Sequence, residues 1–403
     1  MPTKVLEGIR VVDFTWAFVG PQTTKMLADC GAEVIKIESA TRPDFWRTMG
    51  PFKDDEPGLD NGFAFGIFNP NKMSATLNLS FPKGLEIVKD LIAKSDIVVD
   101  NYSGGTMDRM GLGYEELKKI KPDIIMLSAC MHGQTGPYNT HPGFGNQLTA
   151  LCGFSHIAGW PDREPIDLGA YTDTVAPAFN VVAIGAALDY RRRTGKGQFL
   201  DMAELECGLH FMGPQLLDYK TNKRSAIRAG NSSPCAAPHN LYPCKGDEEF
   251  CGIAVYTDEE WQGFCDVLGN PEWTKDAKFN TLLARKENEA ELDEKVGEWT
   301  INYTPDEAMD LLQAAGVPAG ARRFMMDMAT MDPQLKARQC FMPVEHPVLG
   351  TQNIRRPAFV FSKADYDMRP APLIGEHTEY VLKDILGMTD EQLEELVIEG
   401  VIE

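Results

Sequence analysis

The chain has 403 residues, 43% hydrophobic and 24% charged, which is an ordinary globular composition with enough material for two cores or one large core with an insertion. Its formal net charge of -20 argues against nonspecific binding to nucleic acid or to an anionic membrane, so a polyanionic ligand needs a locally basic pocket. No stretch approaches the roughly 20 apolar residues that span a bilayer.

The opening MPTKVLEGIRVVDF runs directly into a strand and lacks a signal-peptide core. None of the nine cysteines forms a C-x-x-C pair, and the expectation is free thiols in a reducing cytoplasm. IRVVDFT (9–15) reads as a strand, PQTTKMLADCG (21–31) as a helix opened by Pro and closed by Gly, and AEVIKIE (32–38) as the next strand. Helix KGLEIVKDLIAKS (83–95) precedes strand DIVVDNY (96–102), and helix GYEELKKI (113–120) precedes strand DIIMLSAC (123–130). This alternation predicts an α/β fold with a doubly wound parallel sheet, although no G-x-G-x-x-G follows the first strand.

An apolar helix follows from Ala176 to Tyr190, then RRRTGKGQ (191–198), strand QFLDMA and a long helix LECGLHFMGPQLLDYK. The Pro-, Ser- and Asn-rich stretch 221–245 reads as a linker, and 246–325 as a small α+β domain that closes at GVPAGARR (316–323). A helix MDPQLKARQ, strands within 341–362 and a final helix TDEQLEELV complete the chain, with Thr389 and Gln392 as a capping box.

Asp173 is the one carboxylate in GAYTDTVAPAFNVVAIGAAL (169–188). As an N-cap it would accept backbone N–H bonds, worth about 1 kcal/mol. As a desolvated carboxylate it would be a nucleophile, and the two roles are compatible. Lys72 and Arg109 stand in NKMSATLNL (71–79) and NYSGGTMDRMGLGYEEL (101–117), the second a Gly-rich turn after a strand, where doubly wound folds bind ligands. GQTGP (133–137) and HPGFGNQLTALCGF (141–154) supply further Gly-rich backbone, while RRRTGKG reads first as a solvated helix end. Cys235, Cys244 and Cys251 with His239 match no familiar ligand spacing, so buried thiols are expected and no metal site.

Together LEGIRVVDFTWAFVGPQTTKMLADCGAEVIKIE, NKMSATLNL, NYSGGTMDRMGLGYEEL, GQTGPY with PGFG, RRRTGKGQ and APLIGEHTEYVLKDILG (371–387) resemble the family III CoA-transferases, in that family's order and over nearly the whole chain. That group includes formyl-CoA transferase and the carnitine CoA-transferases. The resemblance implies a Rossmann-like large domain from 1–220 and 326–403, a linker at 221–245, a small α+β domain at 246–325, and two ring-like subunits interlocked as a dimer. It implies Asp173 as nucleophile, with Trp16, Ala17, Leu77, Asn101, Tyr102 and Arg109 contacting coenzyme A, which serves as co-substrate with no tightly bound cofactor.

Ser39 stands where some members carry an Arg for a CoA phosphate, which leaves Arg42 or Arg47 for that role. RAGNSSPCAAPHNLYPC replaces the Gly-rich substrate loop of formyl-CoA transferase and resembles a branch acting on larger acids. The implied acceptor is an aromatic or dicarboxylic acid such as benzylsuccinate, with succinyl-CoA as donor, in a homodimer or with a paralogous subunit. Two alternatives stand beside this. One is an α-methylacyl-CoA racemase of the same fold, which needs a His where Phe144 stands, with His141 nearby. The other is a non-catalytic subunit of a heteromer.

Overall fold

The apolar runs Val11–Val12, Val34–Ile35, Ile97–Val99 and Ile125–Leu127 are buried at every residue, as in strands covered by helices on both faces. The computed structural model describes residues 4–402 and assembles them into a six-stranded parallel sheet. Its strands are β1 (Arg10–Asp13), β2 (Glu33–Glu38), β3 (Met73–Thr76), β4 (Ile97–Asp100), β5 (Ile125–Cys130) and β6 (Gln198–Ala203), in the order β3-β2-β1-β4-β5-β6. The strand order reverses between β1 and β4, which places a topological switch point at their carboxyl ends. β3 was not among the expected strands; its four residues carry no pattern of their own and are recruited by pairing with β2, Ile35 opposite Met73 through Glu38 opposite Thr76.

The helices around the sheet include α1 (Val19–Asp29), α2 (Pro82–Ala93), α3 (Gly145–Leu151), α4 (Tyr171–Thr194) and α5 (Glu204–Phe211). Side chains alternate across each strand. Val12, Ile35, Val98 and Met126 therefore meet Ile87 and Leu91 of α2 and the late residues Val381, Leu382 and Leu396 on one face. Val11, Val34, Ile97 and Leu127 meet Leu27 of α1 and Ile184 and Ala187 of α4 on the other. Each Val, Leu, Ile or Met side chain among them contributes about 1.5–3 kcal/mol on burial, so the two faces together fix the sheet.

Two differences from the sequence reading have a local cause. The long helix expected at 205–220 breaks after Phe211, because Pro214 has no N–H to continue the ladder, and a separate helix runs Gly213–Asn222. The apolar helix expected from Ala176 starts instead at Tyr171. The capping box at Thr389 and Gln392 is formed in both directions and opens the last helix, Asp390–Ile398.

The chain divides into two compact units: Met1–Phe154 with Asp167–Ser225 and Pro333–Glu403, and Ser155–Ile166 with Ala226–Asp332. The second holds an antiparallel sheet of β7 (His239–Pro243), β8 (Phe250–Ala254) and β9 (Ala319–Ala321). β7 thus occupies part of the stretch read as a linker. Cys244, Cys251 and Cys265 are buried in this unit's core with Tyr242, Phe264 and Leu292, while Cys235 is exposed. Among the described residues no three His, Cys, Asp or Glu side chains converge as metal ligands, and no helix is long and apolar enough to cross a membrane.

Candidate active site

The turn after β1 is built without a glycine fingerprint. Ala17 takes a left-handed conformation (φ 61°), and the Trp16 amide donates to Asn101 Oδ1 at 3.0 Å while Asn101 Nδ2 donates to the Trp16 carbonyl at 2.9 Å. This reciprocal pair ties the loops after β1 and β4 together at the switch point. Gly20 permits the closeness, since a Cβ there would lie 2.3 Å from Thr15 Cβ and 3.0 Å from Asn101 Cγ.

A buried ionic layer supports this turn. Asp13 is paired with Lys72 at 3.1 Å and accepts from the Thr15 and Thr24 hydroxyls; Lys36 is paired with Asp44 at 2.9 Å. Burial alone would raise the Asp13 carboxyl, but Lys72, Lys36 and the two threonine hydroxyls together outweigh it and hold the group below its ordinary value. Burial pulls Lys72 down to about 8 against the attraction of Asp13. Lys72 therefore serves the scaffold, not a ligand. Arg47, one of two candidates for a CoA phosphate, is corrected by its surroundings: it is 1% exposed and held by Glu38, Asp60 and the Pro372 carbonyl. Arg42 lines a cavity and is the one of the two that is placed for a ligand.

Asp173 lies in the first turn of α4, not at its N-cap; that position is Ala170, which makes no side-chain cap. The capping reading of Asp173 is therefore overturned. Pro177 sits one turn further on and has no N–H to offer the Asp173 carbonyl, a break in the ladder directly above the carboxylate-bearing residue. The side chain is half-buried and turns toward α3, where a Cβ on Gly145 would lie 2.2 Å from Asp173 Oδ1. Thr172 donates to the same oxygen at 3.4 Å.

The residue that sequence reasoning missed is Glu204, the first residue of α5, 4% exposed and hydrogen-bonded to Asp173. Gly208, one turn along, lets α5 close onto its neighbours: a Cβ there would lie 2.4 Å from Cys152 Sγ and 3.1 Å from Thr172 Cγ2. Asp173 is solitary in sequence and paired in space. Burial raises its carboxyl above the ordinary range, partly offset by the hydrogen bonds from Glu204 and Thr172. Burial and then the Asp173 charge push Glu204 well above its ordinary value, so Glu204 keeps the proton of the pair. The signal for Glu204 was its place immediately after a strand, at the carboxyl edge where doubly wound sheets bind ligands.

Two adjoining cavities open at this edge. One, of about 420 Å³, is lined by Asp173, Glu204, Trp16, Ala17, Asn101 and Tyr102, with His132, His141 and Phe144 on its wall. The other, of about 530 Å³, is lined by Leu77, Ser39, Arg42 and Lys36, and shares Trp16, Tyr102 and Thr106 with the first. Of the expected CoA contacts, only Arg109 lies on neither wall; it donates to Thr106 Oγ1 at 2.8 Å from outside.

A doubly wound sheet whose switch point opens into two adjoining cavities, one of them holding a desolvated carboxyl pair, is the setting of an α/β enzyme that binds an extended ligand. A family model described as CoA-transferase family III matches residues 6–378, and the chain belongs to that family. It is 34% identical to the succinyl-CoA–D-citramalate CoA-transferase of Chloroflexus aurantiacus, over 100% of this chain and 99% of that protein. It is 33% identical to the succinyl-CoA:glutarate CoA-transferase of Mus musculus, over 99% of this chain and 91% of that protein. Among solved structures it matches a CaiB/BaiF family protein from Brucella suis with a TM-score of 0.85 and 33% identity, over 94% of this chain and 99% of that one. The protein is a family III CoA-transferase, and CoA thioesters are its co-substrates.

Proposed function

We propose that this CoA-transferase acts through a covalent bond to Asp173 and moves CoA from succinyl-CoA to a dicarboxylic acid. The observation that carries the reading is a half-buried carboxyl in the first turn of an apolar helix, facing a cavity and pressed against the Gly145 backbone. A poorly solvated carboxylate is a better nucleophile, and an anhydride survives only where water is kept out.

Asp173 attacks the thioester carbonyl; the C–S bond breaks, giving an acyl–aspartyl anhydride and CoA thiolate. The thiolate attacks the aspartyl carbonyl, releasing the donor acid and leaving an aspartyl-CoA thioester. The acceptor acid attacks that thioester, and the thiolate then takes the new acyl group, which restores the carboxylate. First-turn N–H groups of α4 favour the oxyanions formed at Asp173. In this reading the CoA nucleotide occupies the second cavity, with Arg42 at its phosphates in place of the residue missing at Ser39, and the pantetheine passes Trp16 and Tyr102 between Leu77 and Asn101. Ala17 borders that path, and Arg109 meets the bound CoA from its outer side.

The acceptor class rests on two supports. D-citramalate and glutarate, named for the relatives, are both dicarboxylates. Among the described residues lining the first cavity, His132 and His141 are the ones able to carry positive charge, and their rings stand 6.1 Å apart. They suit the carboxylate that does not react; benzylsuccinate falls in the same class. An interlocked dimer, of one chain or with a related subunit, belongs to the same proposal through the family resemblance, and a monomer by light scattering would end that part.

Asp173→Ala is expected to abolish transfer while leaving the fold intact, and hydroxylamine added during turnover should leave a hydroxamate on Asp173. An unmodified Asp173 peptide under turnover refutes the covalent reading. Exchange of the α-proton in deuterated buffer without acyl transfer would select the racemase instead, with His141 as its base.

A further inference from the structure

Two carboxyl groups share one cavity here, and the transfer chemistry just described uses only one of them. Glu204 is held at the strand-to-helix junction after β6, with its helix packed closely at Gly208, and its carboxyl lines the cavity in hydrogen-bond contact with Asp173. The other titratable groups around it are Cys130 at the end of β5, Cys207 on α5, Cys152 after α3, the acids Asp201 and Glu206, and the cavity histidines His132 and His141. No Lys or Arg among the described residues lines this cavity. With no Lys or Arg to compensate, and with burial and the Asp173 charge the influences that act on Glu204, two carboxylates in this pocket do not both ionise, so one proton stays with the pair. Burial and the Asp173 charge keep that proton on Glu204 to well above the ordinary carboxyl range.

We propose that Glu204 is the proton donor of the reaction, hydrogen-bonded first to the Asp173 carboxylate and then to the sulfur that leaves. The inference rests on the reading of Asp173 as nucleophile. When Asp173 attacks, its negative charge passes to the oxygen of the tetrahedral intermediate; as that collapses to the neutral anhydride, the C–S electron pair and the charge leave on the CoA sulfur as thiolate. The Glu204 proton, no longer held by a charged Asp173, moves to that sulfur; Glu204 becomes the carboxylate and the thiol is neutral. When the thiol attacks the aspartyl carbonyl, Glu204 takes the proton back. One negative charge and one proton occupy the cavity throughout, so no charge enters or leaves the dry site during the chemical steps.

The test uses the purified enzyme with succinyl-CoA and glutarate, from mildly acidic to alkaline pH. Wild-type kcat should fall on the alkaline side as the pair loses its proton. Glu204→Gln keeps the shape and an N–H donor but has no proton to give. It should lower kcat about 10²-fold with KM for succinyl-CoA little changed, and remove the alkaline fall. Glu204→Asp should recover part of kcat and restore that fall. A solvent deuterium isotope effect of about 2 or more on wild-type acylation in a single turnover is the companion measurement, independent of any variant. Wild-type kcat and an unchanged pH profile in Glu204→Gln, or no solvent isotope effect in the wild type, overturns the proposal. A hydroxamate on Asp173 together with either result removes Glu204 alone, whereas no hydroxamate in the wild type removes the reading of Asp173 itself.

Discussion

The Gly145 backbone offers a direct test of how tightly the Asp173 carboxylate, the proposed nucleophile, is held. A Cβ at this position would lie 2.2 Å from Asp173 Oδ1 and 2.7 Å from Ala170 Cβ, where ordinary contact begins at 3.4 Å, so Gly145→Ala must open the first gap by 1.2 Å. Both obstacles belong to the start of α4 or the residue before it, so the carboxylate retreats or α3 and α4 part at the cavity. Misplacing a reacting group by about 1 Å costs roughly 10²-fold in rate, or about 2.7 kcal/mol of barrier. Stability should fall by no more than the roughly 1–3 kcal/mol of overpacking, too little by itself to unfold a domain. The walls of the second cavity are untouched, so KM for succinyl-CoA should hold while kcat collapses. Steady-state transfer to glutarate, read beside a thermal melt, separates the two effects. A folded Gly145→Ala enzyme whose kcat stays within about threefold of wild type, under ~1 kcal/mol of barrier, would refute the close approach as a condition of catalysis.

Two further predictions concern titratable groups. Asp100, at the end of β4, is raised by burial to about 7 from 3.8 despite bonds from the Ser128 hydroxyl and the Tyr102 amide. The folded chain therefore binds more protons than the unfolded one between those values, and stability falls as pH rises through that window. Asp100→Asn still accepts from the Tyr102 amide and turns its own amide toward Ser128, so it should match wild type at the acid end. Above neutrality it should exceed wild type by on the order of 2–4 kcal/mol in urea unfolding, and parallel stability curves would count against it. Burial and His141 hold His132 below the usual histidine range, so the proposed binding of a dicarboxylate there should weaken as pH rises through its titration. His132→Gln with His141→Gln should raise KM for glutarate about tenfold, the loss of ~1.4 kcal/mol, and leave a monocarboxylic acceptor unchanged; equal effects on both acceptors would dismiss the pair as a recognition site.

Glu38 and Arg47 show where sequence reading stops. Nine residues apart, they look like a strand end and a free basic side chain, yet the fold locks them together beneath the site, at 2.8 and 2.9 Å. The same limit hid β3, which is a strand only because β2 lies beside it, and it hid the partner of Asp173. What the chain alone disclosed were features decided within a few residues: apolar runs buried on both sides, the alternation of strand and helix, the Thr389 capping box, and motifs ordered as in one enzyme family. Backbone geometry and local burial settle such features before any distant contact forms. Which carboxyls share a proton, which arginine stays beside a cavity and how close Gly145 comes to Asp173 depend on strand order and on helices packed across the switch point. Those arrangements exist only after segments far apart in sequence have closed on one another, so only the folded molecule decided them.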